Sequence, residues 1–340
     1  MVASFTHDIP SQRVVFAPGA VARVADEAAR LGMNRALVIA TPGSGARLGQ
    51  RLVDILGPRA AALHAQAVVH VPKAVADAGL AAARATQADG LVAGGGGAAI
   101  GLAKIIARDL ALPILAVPTT YSGSEATPIW GMSEGERKFT GKDVAVLPRV
   151  IVYDPDLTLA LPAPVSAASA MNAIAHCVEG LWVADRTPYL MALATDAARR
   201  FGAHLPRVIA DGYDREARGE CLVAAWLAGV VLTAGTALQH KLAHVLGGLG
   251  LPHAETHAII LPHVTRFNLP AAPQAHARMV RAFGADDPAP ALAQLLQALP
   301  IPQRLREVGF DRARIPDVAA AIAVPRAVSA NDVRTLLAAA

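Results

Sequence analysis

Five of the chain's eleven histidines fall between residues 240 and 263. His240 and His244 are four apart and share one helical face. Gly247-Gly248 breaks that helix, and Pro252-His253 returns another imidazole nine residues on. Upstream, Asn172 and His176 set an amide and an imidazole four apart on a second helix. Imidazoles grouped this way can hold a metal or move protons, since the neutral ring is a ligand and titrates near neutrality. A lone histidine on an apolar helix is more often a hydrogen-bonded core residue, but four so arranged argue for a site. The set lacks an anion. Divalent sites usually add a carboxylate or thiolate to imidazole, and Asn172 stands where a carboxylate would complete the group. Cys177 adjoins His176, but one helical step turns it away by about 100°.

A second feature is Gly94-Gly95-Gly96-Gly97-Ala98-Ala99-Ile100-Gly101, between an expected strand and an expected helix. Glycines let a backbone approach phosphate, and a helix N-terminus offers free N–H groups. The bland reading is a tight turn with no ligand, because the GxGxxG pattern with a later acidic residue is absent. Pro118-Thr119-Thr120-Tyr121-Ser122-Gly123-Ser124-Glu125 then places hydroxyls and a glycine after the next strand, where parallel sheets bind ligands. The alternative there is an ordinary polar capping loop.

These positions need a scaffold. Val14–Phe16, Ala36–Ala40, Ala67–Val71, Leu91–Ala93 and Ile114–Val117 read as strands. Ala20–Leu31, Arg47–Leu56, Pro72–Ala88 and Ala98–Arg108 read as the helices between them. Apolar strands alternating with helices predict a parallel sheet covered on both faces. From about Pro155 long Ala/Leu-rich segments follow one another without a convincing strand. The expectation is an α/β domain over 1–155 and an all-helical domain over 156–340 carrying the histidines.

Composition narrows the class. At 340 residues, 54% apolar and 17% charged, the chain is long and apolar enough for two cores. The net charge is +4, but the bases are scattered and aromatics are 4%, which argues against nucleic acid. Cys221 to Leu238 carries no charge over 18 residues, yet contains Gly229 and Gly235 and runs into His240, so a buried helix is expected rather than a membrane span. Cys177 and Cys221 lack a CxxC spacing and read as reduced thiols. The first seven residues lack a basic region followed by an apolar run. A cytoplasmic protein is expected.

Taken together, these residues resemble the iron-containing alcohol dehydrogenase superfamily. The resemblance is carried by Gly95-Gly96-Gly97 with Lys104, Pro118-Thr119-Thr120 with Gly123-Ser124-Glu125, Arg137-Lys138-Phe139 and Tyr153-Asp154-Pro155. It continues through Asn172/His176, His240/His244 and Pro252-His253. Three stretches are similar to the maleylacetate reductase branch: Pro118–Gly131, Met171–His176 with Glu179-Gly180, and His240–Gly248 with Pro252–His257. The resemblance implies a dehydroquinate synthase-like fold, a cleft site between two domains, a cytoplasmic homodimer, NADH or NADPH as cofactor, and a small dicarboxylate substrate.

By residue, it implies that Thr41, Gly95, Gly96, Gly97, Ala98, Thr119, Thr120, Ser124 and Lys138 bind the dinucleotide. Ala98 departs from the usual serine. Thr41 stands near where some NAD-specific relatives have an aspartate, which leaves NADPH open. Metal-dependent members carry an aspartate and three histidines; the matching positions are Asn172, His176, His240 and His253, so a metal is not expected to be required. His176, His240 and His253 are expected around the substrate, with Asn172 donating an amide hydrogen bond and His244 relaying the proton. Lys241 and Tyr121 are candidates for substrate contact, while His257 and His263 read as structural. Two alternatives stand beside this reading: a metal-dependent alcohol or polyol dehydrogenase, and an inactive nucleotide-binding partner subunit.

Overall fold

The computed structural model describes residues 4–135, 137–322 and 328–340. The chain divides into two compact units, Asp8–Leu161 and Pro162–Ala340, the latter joined by the segment that ends at His7.

The first unit alternates strand and helix: β1 (Arg13–Phe16), α1 (Val24–Arg30), β2 (Ala36–Ile39), α2 (Ser44–Leu56), β3 (Ala60–His64), α3 (Lys73–Ala85), β4 (Gly90–Gly95), α4 (Gly97–Leu110) and β5 (Ile114–Pro118). It ends with β6 (Ile129–Glu134), β7 (Arg137–Lys142) and β8 (Val150–Tyr153). Six strands form one sheet in the order β1-β8-β5-β4-β2-β3, every pair parallel. Strands β2, β4, β5 and β8 are buried along their whole lengths, as strands covered on both faces must be. Asp154 ties the sheet to its first turn: its carboxylate accepts from Gly19 N at 2.9 Å, Val21 N at 3.1 Å and Asp156 N at 3.0 Å.

The expected strand at Ala67–Val71 is not one. Its place at the sheet edge is taken by β3, and Val68 and Val69 are exposed. His70 and Val71 have φ of 63° and 43°, a left-handed turn that a ladder excludes. The apolar run matched a strand's composition, but only Ala67 and Val71 are buried, Val71 beneath α4. Strand β8 and the antiparallel hairpin β6–β7, unanticipated from sequence, complete the unit.

The second unit is helical among its described residues: α5 (Ala163–Gly180), α6 (Pro188–Ala210), α7 (Arg215–Leu232), α8 (Leu238–Gly248), α9 (His253–Asn268), α10 (Pro273–Phe283), α11 (Pro288–Gln297), α12 (Ile315–Ala321) and α13 (Ala330–Ala339). Helix α5 is its axis, buried at every residue from Ser166 to Gly180. A helix apolar on all sides belongs inside a bundle, and α6, α7 and α9 pack around it. Gly180 permits the approach of α7, since a Cβ there would lie 2.2 Å from Val231 Cγ1. Most of the uncharged stretch Cys221–Leu238 lies in α7, and no helix among the described residues is long and apolar enough to cross a membrane.

Candidate active site

In the first unit, β4 runs straight into α4 through the glycines. Gly95 has φ of 141°, which a side chain would strain, and a Cβ at Gly96 would lie 2.8 Å from the Thr120 methyl. Thr119 N donates to Gly95 O at 3.2 Å, so the glycine turn and the Pro118–Glu125 loop are held edge to edge. Gly97 is exposed at the head of α4, whose first N–H groups have no helical partner. The Ser122 and Ser124 hydroxyl oxygens are enclosed, with no hydrogen-bond partner among the described residues. Bare backbone, a helix N-terminus and orphaned hydroxyls suit a pyrophosphate. Gly95, Gly96, Gly97, Ala98, Thr119, Thr120 and Ser124 therefore stand together. Thr41 follows β2, with its hydroxyl against the start of α2. Lys138 is exposed on β7, in the hairpin and not at the glycine turn. Tyr121 is fully buried.

Behind that loop lies a buried polar knot. Lys104 Nζ, on α4, donates to Ser124 O at 2.6 Å, Thr127 O at 2.8 Å, Thr127 Oγ1 at 2.9 Å and Ile129 O at 2.8 Å. Burial draws its ammonium down to about 7, opposed by the charge of Glu125. Tyr153 OH donates to Glu125 Oε1 at 2.6 Å, and burial holds that carboxyl above the usual range.

In the second unit, α5, α8 and α9 bring the histidines together. Asn172 and His176 come from α5, His240 and His244 from α8, and His253 and His257 from α9. His176 and His240 are stacked, centroids 4.9 Å apart. His244 and His253 form a second stacked pair at 5.9 Å. His257 touches both pairs edge-on, 4.6 Å from His240 and 4.6 Å from His253. The first pair is buried; His253 is half-buried and His244 exposed. Lys241, one position from His240, is exposed and turned from the cluster, as adjacent helical positions diverge. His263 lies on α9 outside it.

The inner pair belongs to a hydrogen-bonded chain. Asn172 Nδ2 lies 3.4 Å from His176 Nε2, and His176 Nδ1 lies 2.8 Å from His240 Nε2. His240 Nδ1 meets Glu179 Oε2, and Gln239 N donates to Glu179 Oε1 at 2.8 Å. The terminal carboxylate accepts only, so His240 carries a proton on Nδ1. With the Asn172 amide donating, each imidazole passes one N–H toward Glu179. With the amide turned over, the direction between the rings reverses and His240 becomes an imidazolium paired with Glu179. Asn172 can end the chain in either sense, which an aspartate cannot.

Glu179, Gln239 and His257 were missed as site residues from sequence. Glu179 follows His176 by three on α5, a spacing that could have flagged a shared face. His257 follows His253 by four and carried the same signal.

The residues lack the free anionic ligand that iron and zinc sites usually add to imidazole. The set offers neutral imidazoles and an amide, and its carboxylate, Glu179, is engaged with His240 Nδ1 and a backbone N–H.

Burial holds His257 far below the ordinary 6.5, and the neighbouring rings His240, His253, His176 and His244 add to this. Burial also lowers His64 and His263. Such groups are unprotonated in the fold but take protons once unfolded below 6.5. Stability present above that value is therefore lost as pH falls from 6.5 toward the depressed folded values. The unfolding free energy from urea titration should drop between pH 7.5 and 5.5, by up to about 1.4 kcal/mol per pH unit per histidine, and the urea midpoint with it. Equal midpoints would contradict the buried neutral rings.

A family model of iron-containing alcohol dehydrogenases matches residues 10–155, and one for the C-terminal part of the Fe-containing alcohol dehydrogenase family matches residues 166–340. A maleylacetate reductase of Sphingobium indicum is 47% identical over 341 residues, covering 98% of this chain and 96% of that protein. One from Pseudomonas aeruginosa is 46% identical over 309 residues, covering 90% and 88%. Among solved structures, maleylacetate reductase from Agrobacterium tumefaciens superposes with a TM-score of 0.94 at 38% identity, covering 99% of this chain and 97% of that one.

Proposed function

This chain is an oxidoreductase of the iron-containing alcohol dehydrogenase family, among its maleylacetate reductases, and from that premise we propose that it reduces the carbon–carbon double bond of maleylacetate to give 3-oxoadipate, using NADH or NADPH and no metal. The observation that carries the reading is the chain Asn172–His176–His240–Glu179, which supplies protons and N–H donors where a metal-binding relative would place a Lewis acid.

The glycine turn and the Thr119–Ser124 loop hold the dinucleotide, which supplies a hydride when bound. No acidic side chain occurs in Thr41–Gly45 to repel a 2′-phosphate, so either cofactor is accepted. Hydride adds to the carbon β to the ketone, and negative charge moves to the ketone oxygen. His253 stabilises that oxygen through an N–H donor, with His240 and His176 held beside it by their own hydrogen-bonded chain, and a proton is delivered to the α carbon. His244, exposed beside His253, takes the replacement proton from solvent. The neutral Asn172 leaves the site without the repulsion a carboxylate would exert on a dianionic substrate. The enzyme acts as a cytoplasmic homodimer without nucleic-acid or membrane partners; its family resemblance supports the dimer, which sedimentation would test.

The deciding experiment is oxidation of NADH, then NADPH, by purified enzyme with maleylacetate generated in situ, with and without chelator. Rapid, chelator-insensitive oxidation is expected; loss on chelation would reject the metal-free reading. Asn172→Asp tests the same point from the other side. It should gain affinity for Zn²⁺, read by calorimetry, and lose about tenfold in kcat/KM through repulsion of the dianion. A variant that binds no metal and keeps its rate would count against the role given to the amide.

A further inference from the structure

We propose that His257 is a fixed, neutral hydrogen-bond donor to the bound substrate, and that Gln239 is the residue that fixes it. The inference rests on the reductase reading of the site.

Both side chains are fully buried. Gln239 Nε2 donates to the His257 backbone carbonyl at 3.0 Å, and a carbonyl only accepts, so the amide's orientation is settled. Its second hydrogen points to His257 Nδ1 at 3.2 Å. Nδ1 is therefore the acceptor and Nε2 carries the proton. That Nε2–H has no hydrogen-bond partner among the described residues, and neither does Gln239 Oε1.

A buried unsatisfied donor costs about 1–3 kcal/mol. Leucine or phenylalanine would fill the same space without that cost. Two orphaned polar groups side by side are thus poor filler but a sensible arrangement if a ligand supplies the acceptor. The location agrees: the ring centroid lies 4.6 Å from that of His253, the group assigned to the ketone oxygen, and 4.6 Å from that of His240. Gln239 also closes the route through Nδ1, because an amide does not pass a proton. His257 cannot shuttle; it can only donate. A donor already oriented and unable to ionise is most useful against an oxygen whose negative charge grows during reaction. The exposed His244 and half-buried His253 lie on its outer side.

The test uses the full-length enzyme with NADH and maleylacetate. His257→Phe keeps the ring's shape and removes the donor; it should lower kcat/KM for maleylacetate by about a hundredfold with the KM for NADH unchanged. His257→Gln, which returns an N–H near the ring's tip, should recover most of the loss. Long-range ¹H–¹⁵N spectra of the wild-type enzyme should give the Nε2–H tautomer, and 3-oxoadipate added to the NAD⁺ complex should move that N–H downfield. A fully active His257→Phe, or an N–H unmoved by 3-oxoadipate, overturns the proposal. If His257→Phe fails to fold, the wild-type spectra decide. Wild-type enzyme that cannot turn over maleylacetate would reject the functional reading and this inference with it; normal turnover alongside an unaffected His257→Phe would reject this inference alone.

Discussion

Glu179→Gln is expected to lower kcat for maleylacetate by about two to four orders of magnitude while leaving the bundle folded. The carboxylate accepts from two sides, Gln239 N at 2.8 Å and His240 Nδ1. A glutamine keeps one accepting oxygen and turns an NH₂ toward the other donor. If the oxygen stays with Gln239 N, the amide hydrogens face His240 Nδ1, and that ring must move its proton to Nε2. The Nε2–H then points at His176 Nδ1, 2.8 Å away, and the whole chain runs backwards. The imidazoles remain in place with the wrong tautomers, and the imidazolium form of His240 loses its counter-charge. Orientation of a catalytic imidazole by a buried carboxylate is worth this much in other enzymes. The diagnostic pattern is a large fall in kcat with little change in the KM for NADH or in thermal midpoint. A rate close to wild type in a folded Glu179→Gln enzyme would remove the hydrogen-bonded chain from the mechanism.

The ease with which parts of this site were read from sequence follows the range of the contacts. His240 and His244 declared themselves because four residues is one turn of α8, and Asn172 and His176 likewise on α5. The glycine turn was legible because its chemistry is local to one strand–helix junction. Glu179 bonds His240 across 61 residues, and Gln239 bonds His257 across 18, so neither contact has a spacing to reveal it. The fold divided the same way. Strands β2, β4 and β5 are fully buried and read as apolar runs. Edge strand β3 is mostly half-buried, with the sequence AAALH, and alanine argues for helix. The neighbouring Ala67–Val71 offered better β composition and took its place in the reading, though only the left-handed His70 and Val71 decide its conformation. The hairpin β6–β7 is half-buried to exposed, so no alternation of apolar residues announced it.

Lys104→Met should destabilise the first unit by about 3 kcal/mol, because removing one member of a buried polar group strands the others. Four oxygens depend on that nitrogen: three backbone carbonyls, of Ser124, Thr127 and Ile129, and the Thr127 hydroxyl. They fix the chain leaving the Pro118–Glu125 loop, so the same variant should bind NADH more weakly even where it stays folded. The pH dependence separates this role from simple packing. Lys104 titrates near 7 in the fold, against 10.5 when unfolded. Between these values the unfolded chain holds a proton that the folded chain has released, so raising the pH through that window stabilises the fold. Its contribution is full above 10.5 and is lost as pH falls to about 7. The wild-type unfolding free energy should therefore rise from pH 7 to 10 more steeply than that of Lys104→Met, by up to about 1.4 kcal/mol per pH unit. Parallel pH profiles for the two proteins would mean that the ammonium stays charged throughout, held by its four acceptors and by Glu125 against the pull of burial.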